Sequence, residues 1–518
     1  MICKSGALIF GVDKPHVVTG LLPNAKHFRH QGKDLIAIKH SLDATKVLRN
    51  LGLKAPHPMH HDGYTWPGRY VPMAHQVETT DFLTLHKKAF VLNDMGTGKT
   101  GAALWAIDYL MARGLIRRVL VVCPLSVTKV WQDESFSIIP HRSVGTMTGK
   151  REKRLDVLHS QADICIVNFD GLTSLYDSKT KKSELDGHFD LIIVDEASTY
   201  RNAGTQRYKA LQHLNTPDMR LWLMTGTPTP NAPTDAWALI RLVAPNRVPA
   251  SFKLFQETVM RSQGPYKWVP RPNAQAIVRK LMQPAVRFEK ADCLDLPSIT
   301  YNNRSCLLSQ EQTKMFDTMR KRMKHEGDDG SVISAANAAV KIIKLQQICC
   351  GVVKDDAEQP VYMDAKPRLE ALRELIEEAP DKVIVFVPFL FSMELLEAEI
   401  SKYATCAVVN GKVPNHLRGE IFTAFQNTPE PRVLIAHPAV AAHGLTLTAA
   451  STIVWYAPIY SSEQYEQANA RIDRKGQKNT MSVYHLGAHA FEWAIYDVLR
   501  NKTSMQTALL NLYRQLTS

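Results

Sequence analysis

Residues 94–100 read Asp-Met-Gly-Thr-Gly-Lys-Thr, and this stretch decides the fold of the chain. The apolar run Ala89–Leu92 precedes it, and a helical pattern over Ala102–Met111 follows it. Glycines allow backbone N–H groups to wrap a phosphate, and the N-terminus of the following helix adds positive potential. The order of strand, glycine-rich loop and helix therefore predicts a phosphate-binding loop rather than a simple turn.

Two side chains of this loop have separate predicted roles. We expect the Lys99 ammonium to reach the β- and γ-phosphates of ATP and the Thr100 hydroxyl to bind Mg²⁺. Asn93 stands where the general pattern has its first glycine. The loop residues expected to bind the nucleotide are Gly96, Thr97, Gly98, Lys99 and Thr100.

A second motif, Phe189–Ser198, is an apolar strand that ends in two adjacent carboxylates. Asp195 at the strand tip is expected to bind Mg²⁺. Glu196 is then expected to orient and deprotonate the water that attacks the γ-phosphate. Two acids after a strand can also be a simple helix N-terminus, where carboxylates are favourable. The phosphate loop upstream favours the catalytic interpretation.

A third motif, Gln467–Gln477, contains Arg471 and Arg474, which are expected to share one face of a helix. Arginines that face a phosphate stabilise the negative charge that accumulates on its oxygens. In related hydrolases such arginines contribute about 10³–10⁵ in rate. A solvated basic helix is the alternative interpretation of this segment.

In this order the three motifs resemble motifs I, II and VI of helicase superfamily 2, in the Swi/Snf-type branch of ATP-dependent DNA translocases. The resemblance extends over residues 70–510, and Trp455–Gln477 is most similar to the compact members encoded by bacteriophages. The resemblance implies catalytic roles for Lys99, Asp195, Glu196, Arg471 and Arg474. It also implies adenine recognition by Gln76, nucleotide contact by Gly444, and DNA contact by Ser126, Thr225 and Asn231.

Short runs rich in Val, Ile and Leu alternate with helical stretches along the chain. Runs that are apolar on every side predict parallel strands covered by helices on both faces. The predicted strands are Val119–Cys123, Ile164–Val167, Leu191–Val194, Leu221–Met224, Val383–Val387, Val433–Ala436 and Thr452–Tyr456. The expected fold class is α/β, and the resemblance implies two RecA-like parallel-sheet lobes with helical insertions. The Pro- and Gly-rich stretch Trp66–Gly68 predicts that a small N-terminal module precedes them.

Four segments are expected along the chain. They are a small N-terminal module (1–68), an ATP-binding RecA-like lobe (69–245), a linker with helical protrusions (246–364) and a second RecA-like lobe with the helicase C-terminal motifs (365–518). Closure of the two lobes on ATP would bring Arg471 and Arg474 to the phosphate.

The composition favours a nucleic-acid partner. Lysine and arginine number 63 against 50 aspartates and glutamates, a net charge of +13, and a cationic surplus attracts phosphate most strongly. The 45% of hydrophobic and 22% of charged residues exclude collagen, a long coiled coil and wholesale disorder. The eight cysteines lack metal-ligand spacing and are expected to be reduced core residues. We expect no membrane segment and a cytoplasmic location, in the host cell if a phage encodes the chain.

The remaining candidates are expected to be structural. His57, His60 and His61 lack an accompanying carboxylate or cysteine pattern and are interpreted as residues of a surface loop. Lys179–Lys182 is expected to be a solvated basic face, and Trp131 a packing residue.

The predicted function is DNA-stimulated ATP hydrolysis that drives translocation on duplex or branched DNA. Two alternatives stay open. One is an RNA-directed helicase of the same superfamily. The other is a nucleotide-switched module that binds DNA without productive hydrolysis, and it predicts loss of Lys99, Glu196 or the two arginines, all of which are present.

Overall fold

The structure is a computed structural model that describes residues 2–4, 6–229, 232–264, 268–328, 335–355, 358–441, 446–501 and 505–517. The chain forms two compact units. The first contains Met1–Pro228 and Pro233–Cys293, and the second contains Thr229–Ala232 and Leu294–Ser518.

The first unit begins with a small sheet and two helices. The strands are β1 (Ile2–Lys4), β2 (Ala7–Gly11), β3 (Lys26–His30) and β4 (Lys33–Lys39), and the helices are α1 (Pro15–Leu21) and α2 (Leu42–Asn50). The strands pair antiparallel in the order β1-β2-β4-β3. Leu8, Phe10, Ile36 and Ile38 on one face of the sheet pack against the helices in a separate hydrophobic cluster. This part of the unit therefore has a core of its own.

The rest of the first unit is an α/β sandwich. Its strands are β5 (Lys88–Val91), β6 (Val119–Cys123), β7 (Val144–Met147), β8 (Ile164–Asn168), β9 (Tyr176–Asp177), β10 (Lys182–Ser183), β11 (Leu191–Asp195), β12 (Arg220–Met224), β13 (Met260–Ser262), β14 (Trp268–Pro270) and β15 (Ala285–Val286). Its helices are α3 (Ala74–Leu85), α4 (Lys99–Ala112), α5 (Thr128–Ile138), α6 (Arg151–His159), α7 (Phe169–Ser174), α8 (Gln206–Leu214), α9 (Ala236–Val243), α10 (Phe252–Val259), α11 (Ala274–Leu281) and α12 (Lys290–Cys293).

Seven of these strands form one parallel sheet in the order β15-β5-β12-β11-β6-β8-β7. The central strands β6, β8 and β11 are buried along almost their whole length. Two hydrophobic clusters cover the two faces, as expected for a parallel sheet between helical layers. Because the strands are parallel, the loops that follow β5, β6, β11 and β12 all lie at the same edge of the sheet.

The second unit is also α/β. Its strands are β16 (Ile299–Ser305), β17 (Val352–Lys354), β18 (Pro360–Tyr362), β19 (Lys382–Phe386), β20 (Cys406–Val409), β21 (Val433–Ala436), β22 (Ala450–Trp455) and β23 (Met481–Gly487). Its helices are α13 (Gln310–Asp328), α14 (Ala335–Cys349), α15 (Lys366–Glu378), α16 (Leu390–Ile400), α17 (Asn415–Asn427), α18 (Pro438–Ala441), α19 (Ser462–Asn469), α20 (Ala490–Asn501) and α21 (Met505–Thr517). Six strands form a parallel sheet in the order β16-β23-β22-β19-β21-β20.

A buried ion pair and its hydrogen bonds join four elements of the second unit. The Arg368 guanidinium donates to the Glu492 carboxylate at 2.8 Å, and both side chains are excluded from solvent. The guanidinium also donates to the carbonyl oxygens of Tyr456 at 2.6 Å and Leu486 at 3.1 Å. These bonds tie α15 and α20 to the ends of β22 and β23, and they satisfy charges that would otherwise be costly to bury.

The α/β fold class with two parallel-sheet lobes is confirmed, and all seven predicted strands are present within two residues of their predicted bounds. The strands β7 and β20 were not predicted. Both are edge strands, and because most of their residues are only half-buried, their sequences lack a continuous apolar pattern. The bounds of the four predicted segments stay predictions. No helix among the described residues is long and apolar enough to cross a membrane.

The prediction that His57 lies in a surface loop is wrong. Its side chain is buried, the ring Nδ1 accepts the Met59 N–H at 3.1 Å, and Nε2 lies 2.7 Å from Thr84 Oγ1 at the end of α3. Burial lowers the pKa of His57 to about 3, so the ring is neutral at physiological pH. His60 and His61 are exposed, as predicted.

Arg368→Ala is expected to destabilise the second unit by about 3–5 kcal/mol, because it leaves the Glu492 carboxylate buried without its partner. Urea unfolding followed by circular dichroism measures the effect. Arg373→Ala on the same helix is the matched control, since its ion pair with Glu377 is exposed to water and its loss should change stability little. Equal destabilisation by the two variants would contradict the assignment of Arg368 to a buried structural pair.

Candidate active site

The glycine-rich segment connects β5 to α4 in the first unit. Gly96 and Gly98 have φ angles of 84° and 74°, a left-handed backbone that glycine adopts without strain. Gly98 is the N-cap of α4, and Lys99 is the first residue of the helix. The Lys99 Nζ donates to the carbonyl oxygens of Asn93 at 2.9 Å and Asp94 at 3.1 Å. The ammonium thus lies against the loop in which the sequence predicts a bound phosphate.

Buried polar side chains hold this loop in place. Asn93 is 1% exposed, its Nδ2 donates to Thr79 Oγ1 at 3.0 Å, and its Oδ1 accepts the Phe288 N–H at 3.1 Å. His75 Nε2 lies 2.8 Å from the carbonyl oxygen of Thr97. The asparagine that replaces the usual glycine therefore links the loop to α3 and to the chain beyond β15. A glycine could make neither side-chain bond.

Gln76 lies directly beside the loop. Its Oε1 accepts the Met73 N–H at 2.9 Å, and its Nε2 donates to the carbonyl oxygen of Gly98 at 3.2 Å. A Cβ atom at position 98 would lie 2.2 Å from Gln76 Nε2, so the contact requires glycine there. The structure brings Gln76 to the loop, and recognition of adenine by this residue stays a prediction.

The two carboxylates lie at the end of β11, at the same edge of the sheet. Asp195 is the last residue of the strand, and its Oδ2 accepts the Trp131 indole N–H at 2.9 Å while its Oδ1 accepts the Glu196 N–H at 3.0 Å. Glu196 has a φ of 52°, a left-handed conformation that side-chain-bearing residues adopt at a cost of about 1–3 kcal/mol.

The order of the strands sets the spacing between the two motifs. Only β12 separates β5 from β11, and two strand spacings correspond to about 10 Å. Thr100 and Asp195 offer hydroxyl and carboxylate oxygens, which are the ligand types that Mg²⁺ prefers. Asp195 already accepts two hydrogen bonds, yet a carboxylate has about four lone-pair positions and so keeps capacity for a metal. The residues present fit a Mg²⁺ ion.

Trp131 has a role that the sequence did not reveal. It is fully buried, as expected of a packing residue, but its indole N–H also orients Asp195. A buried indole N–H usually finds an acceptor, and this rule was the available signal. The acceptor itself could not be identified, because α5 and β11 are distant in the sequence.

The loop after β12 lies between the two motifs. Thr225 is 1% exposed, its N–H donates to the Val91 carbonyl at 3.0 Å, and its Oγ1 accepts the Thr227 N–H at 3.1 Å. A Cβ at Gly226 would contact Met95 at 3.3 Å, so this loop packs on the phosphate loop. Ser126 after β6 is exposed. Contact of Ser126 and Thr225 with DNA stays a prediction. Burial of the Thr225 side chain disfavours such contact for that residue. Asn231 lies outside the described residues.

In the second unit, Arg471 and Arg474 do not share a helical face, and that prediction is wrong. The helix α19 ends at Asn469, and the arginines lie in the turns that follow. The Gln477 side chain closes these turns, since its Nε2 donates to the carbonyl oxygens of Ala450 at 2.9 Å and Ile472 at 3.3 Å.

The two arginines differ in environment. Arg471 is 1% exposed, and its Nε donates to the Gln467 carbonyl at 2.7 Å. Arg474 is half-buried, and its Nη1 donates to Thr446 Oγ1 at 3.2 Å. Arg474 is therefore the more accessible guanidinium. Gly444 lies outside the described residues.

The sequence profile of the SNF2-related domain matches residues 75–352, more than half of the chain. The profile of the helicase conserved C-terminal domain matches residues 367–476. The SNF2-related match contains the phosphate loop and the acidic motif. The helicase C-terminal match contains the arginine motif up to Gly476.

Three curated relatives are similar to the chain. An uncharacterized ATP-dependent helicase of Mycoplasma genitalium is 25% identical over 76% of this chain and 37% of its own length. Protein p41 of Acyrthosiphon pisum secondary endosymbiont phage 1 is 26% identical over 86% of this chain and 99% of its own length. A SWI/SNF-related matrix-associated actin-dependent regulator of chromatin subfamily A-like protein 1 homolog of Caenorhabditis elegans is 26% identical over 77% of this chain and 56% of its own length. The chain thus spans about a third of the Mycoplasma relative, slightly more than half of the Caenorhabditis elegans relative and nearly all of the phage protein.

Gly98→Ala is expected to weaken ATP binding about tenfold or more. The alanine is strained by about 1–2 kcal/mol at a φ of 74°, and its Cβ meets Gln76 Nε2. Equilibrium titration with a fluorescent ATP analogue measures the change. Gly114→Ala is the control, because Gly114 has a φ of 68° but open space around its Cβ. If both variants bind ATP as the unmodified chain does, the loop is not the nucleotide site.

Proposed function

The chain belongs to the SNF2-related family, and we propose that it is an ATP-dependent DNA translocase in which DNA-stimulated hydrolysis of ATP drives movement along duplex or branched DNA. One observation carries the proposal. The phosphate loop with Lys99 and the carboxylates Asp195 and Glu196 lie at one edge of one parallel sheet, separated by a single strand.

Lys99 and the loop would hold the phosphates. The ammonium donates to two loop carbonyls, and it can exchange these bonds for stronger charge-assisted bonds to phosphate oxygens. The backbone N–H groups at the start of α4 and its dipole would add to this attraction. Thr100 and Asp195 would hold Mg²⁺, which would supply positive charge to the phosphate oxygens.

Glu196 would act as general base. Its carboxylate would take a proton from water as the water oxygen forms a bond to the γ-phosphorus, and the bond between that phosphorus and the bridging oxygen of ADP breaks. The left-handed backbone of Glu196 supports this assignment. Residues held in such conformations cluster at functional sites, because the surrounding structure must stabilise them.

Arg474 would supply further positive charge to the phosphate oxygens in the transition state. Its partial exposure leaves the guanidinium accessible, whereas Arg471 is buried and suits a role in positioning the same turns. This function would require ATP binding to bring Arg474 to the phosphate.

A DNA partner fits the charge of the chain. The surplus of thirteen positive charges favours contact with phosphates, which is independent of sequence and sensitive to salt. Ser126, exposed at the catalytic edge of the sheet, is a candidate for such contact, and buried Thr225 is better suited to relay the state of the phosphate loop. Movement along DNA would follow from alternation between nucleotide states that bind the backbone differently.

The main alternative is a nucleotide-switched DNA-binding module without hydrolysis. The presence of Glu196 beside Asp195 disfavours it, since a pure switch has no need for a general base. An RNA-directed helicase is the second alternative, and comparison of ATPase stimulation by duplex DNA, single-stranded DNA and RNA separates it from the proposal.

Glu196→Gln is expected to lower DNA-stimulated ATP turnover by about 10²–10⁴, because the amide cannot accept the proton of the attacking water. ATP affinity should be retained, since the substitution preserves the size of the side chain. Phosphate release and equilibrium nucleotide binding measure the two quantities. Glu152→Gln on the exposed face of α6 is the control and should hydrolyse ATP at the unmodified rate. Unchanged turnover in Glu196→Gln would refute the base assignment.

Arg474→Ala is expected to lower the catalytic constant for ATP about 10³-fold, with a smaller change in ATP affinity, because the guanidinium would act mainly on transition-state charge. Lys475→Ala removes an adjacent exposed charge and is the matched control. Steady-state kinetics at saturating DNA give both parameters. A loss shared equally by both variants would indicate weaker DNA binding rather than a catalytic arginine.

A further inference from the structure

Positive charge is concentrated at the beginning of the chain. Residues 1–56 contain nine lysines and arginines against three aspartates and no glutamate, which is a surplus of six out of the whole chain's thirteen. This segment, about a ninth of the sequence, holds the β1-β2-β4-β3 sheet and the helices α1 and α2. A positive surplus of this kind attracts polyanions such as nucleic acids.

The two faces of this sheet differ in chemistry. Residues that pair directly across neighbouring strands project to the same face, and successive residues alternate between faces. Leu8, Phe10, Ile36 and Ile38 lie on the face that packs on the helices. On the same face, His27 lies 2.9 Å from the Asp34 carboxylate.

The opposite face, which we term the open face, is cationic. Lys26 pairs with Ala37, Phe28 pairs with Leu35, and His30 pairs with Lys33, while Ala37 and Lys39 continue the face onto β2. The lysines Lys26, Lys33 and Lys39 are exposed, and Phe28 among them is 37% exposed. Within the described residues, none of these three lysines forms an ion pair, and no acidic residue of the described strands projects to this face. The charge of the open face is therefore available to a ligand.

The edge of the sheet adds to this surface. The strand β3 is the last in the order, and all five of its residues are exposed. Exposed edge strands often carry lysines that discourage pairing with other chains, and this function accounts for Lys26 on β3. Lys33 and Lys39 lie on β4, which is an inner strand of the sheet, so protection of an edge does not explain them.

We propose that the open face of the N-terminal sheet binds the phosphate backbone of duplex DNA, as a contact separate from the nucleotide-binding sheet. Lys26, Lys33 and Lys39 contact phosphates, and Phe28 packs against the sugars between them. The inference rests on the proposed function, since it assigns part of the DNA contact of the same translocase. The module would keep the chain on DNA while the nucleotide state changes elsewhere.

The test is the triple substitution K26E/K33E/K39E, with binding to a labelled duplex measured by fluorescence anisotropy over a series of salt concentrations. Each phosphate contact contributes about one to the slope of log affinity against log salt, so the slope should become shallower by about two to three. The dissociation constant at physiological salt should rise about tenfold or more. The matched control is K179E/K181E/K182E, which makes the same change of charge on the exposed β9–β10 hairpin and should change both quantities much less.

Folding is checked by thermal melting, and K26Q/K33Q/K39Q provides a second variant that removes charge without adding acids. This variant should also lose affinity for duplex DNA, but by a smaller factor than K26E/K33E/K39E. The inference would be overturned if K26E/K33E/K39E bound duplex DNA as tightly as the unmodified chain, or if the control lost as much affinity. Either result would leave the proposed function standing. A loss confined to single-stranded DNA or RNA would also overturn it. Failure of the unmodified chain to bind duplex DNA would contradict the proposed function itself.

Discussion

The hydrogen bonds that fix residues 93–98 between β5 and α4 are the constraint on which the rest of the site depends. Asn93, His75 and Gln76 are buried. The His75 and Gln76 side chains form hydrogen bonds to carbonyl oxygens of the loop, and the Asn93 side chain forms a hydrogen bond to α3. Buried polar groups are costly when unsatisfied, so this network has one favourable arrangement and resists small displacements. That arrangement sets where α4 begins, and hence the position of Lys99.

The parallel sheet brings this loop together with the other residues of the candidate active site. The loop after β5 and the carboxylates after β11 lie at one edge because all seven strands run in the same direction. The loop after β12 fills the position between them and packs on the phosphate loop through Gly226. A change in the conformation of the phosphate loop would therefore displace the loop after β12 through direct contact. Coupling of ATP hydrolysis to DNA binding would need such a contact.

Much of the fold and the main elements of the site could be predicted from the sequence. Continuous apolar runs predicted the buried central strands correctly. The glycines, Lys99 and the paired acids predicted which residues form the candidate site, because their types and order are restrictive, and their catalytic roles stay predictions. The bond from Trp131 to Asp195 could not be predicted, since it joins elements that only the folded chain brings together. The burial of His57 was missed for the same reason, because α3 covers it. The helix expected for Arg471 and Arg474 failed because the Gln477 side chain stabilises a turn that spacing alone cannot reveal.

The central claim is that hydrolysis at the phosphate loop moves the chain along duplex DNA. Displacement of a third strand from a DNA triplex measures such movement directly, since a translocating protein removes the strand without separating the duplex. We expect the third strand to be released only when both a duplex track and hydrolysable ATP are present, and we expect no release by Glu196→Gln. DNA-stimulated hydrolysis with the third strand left in place would contradict it and would indicate a nucleotide switch instead of a motor.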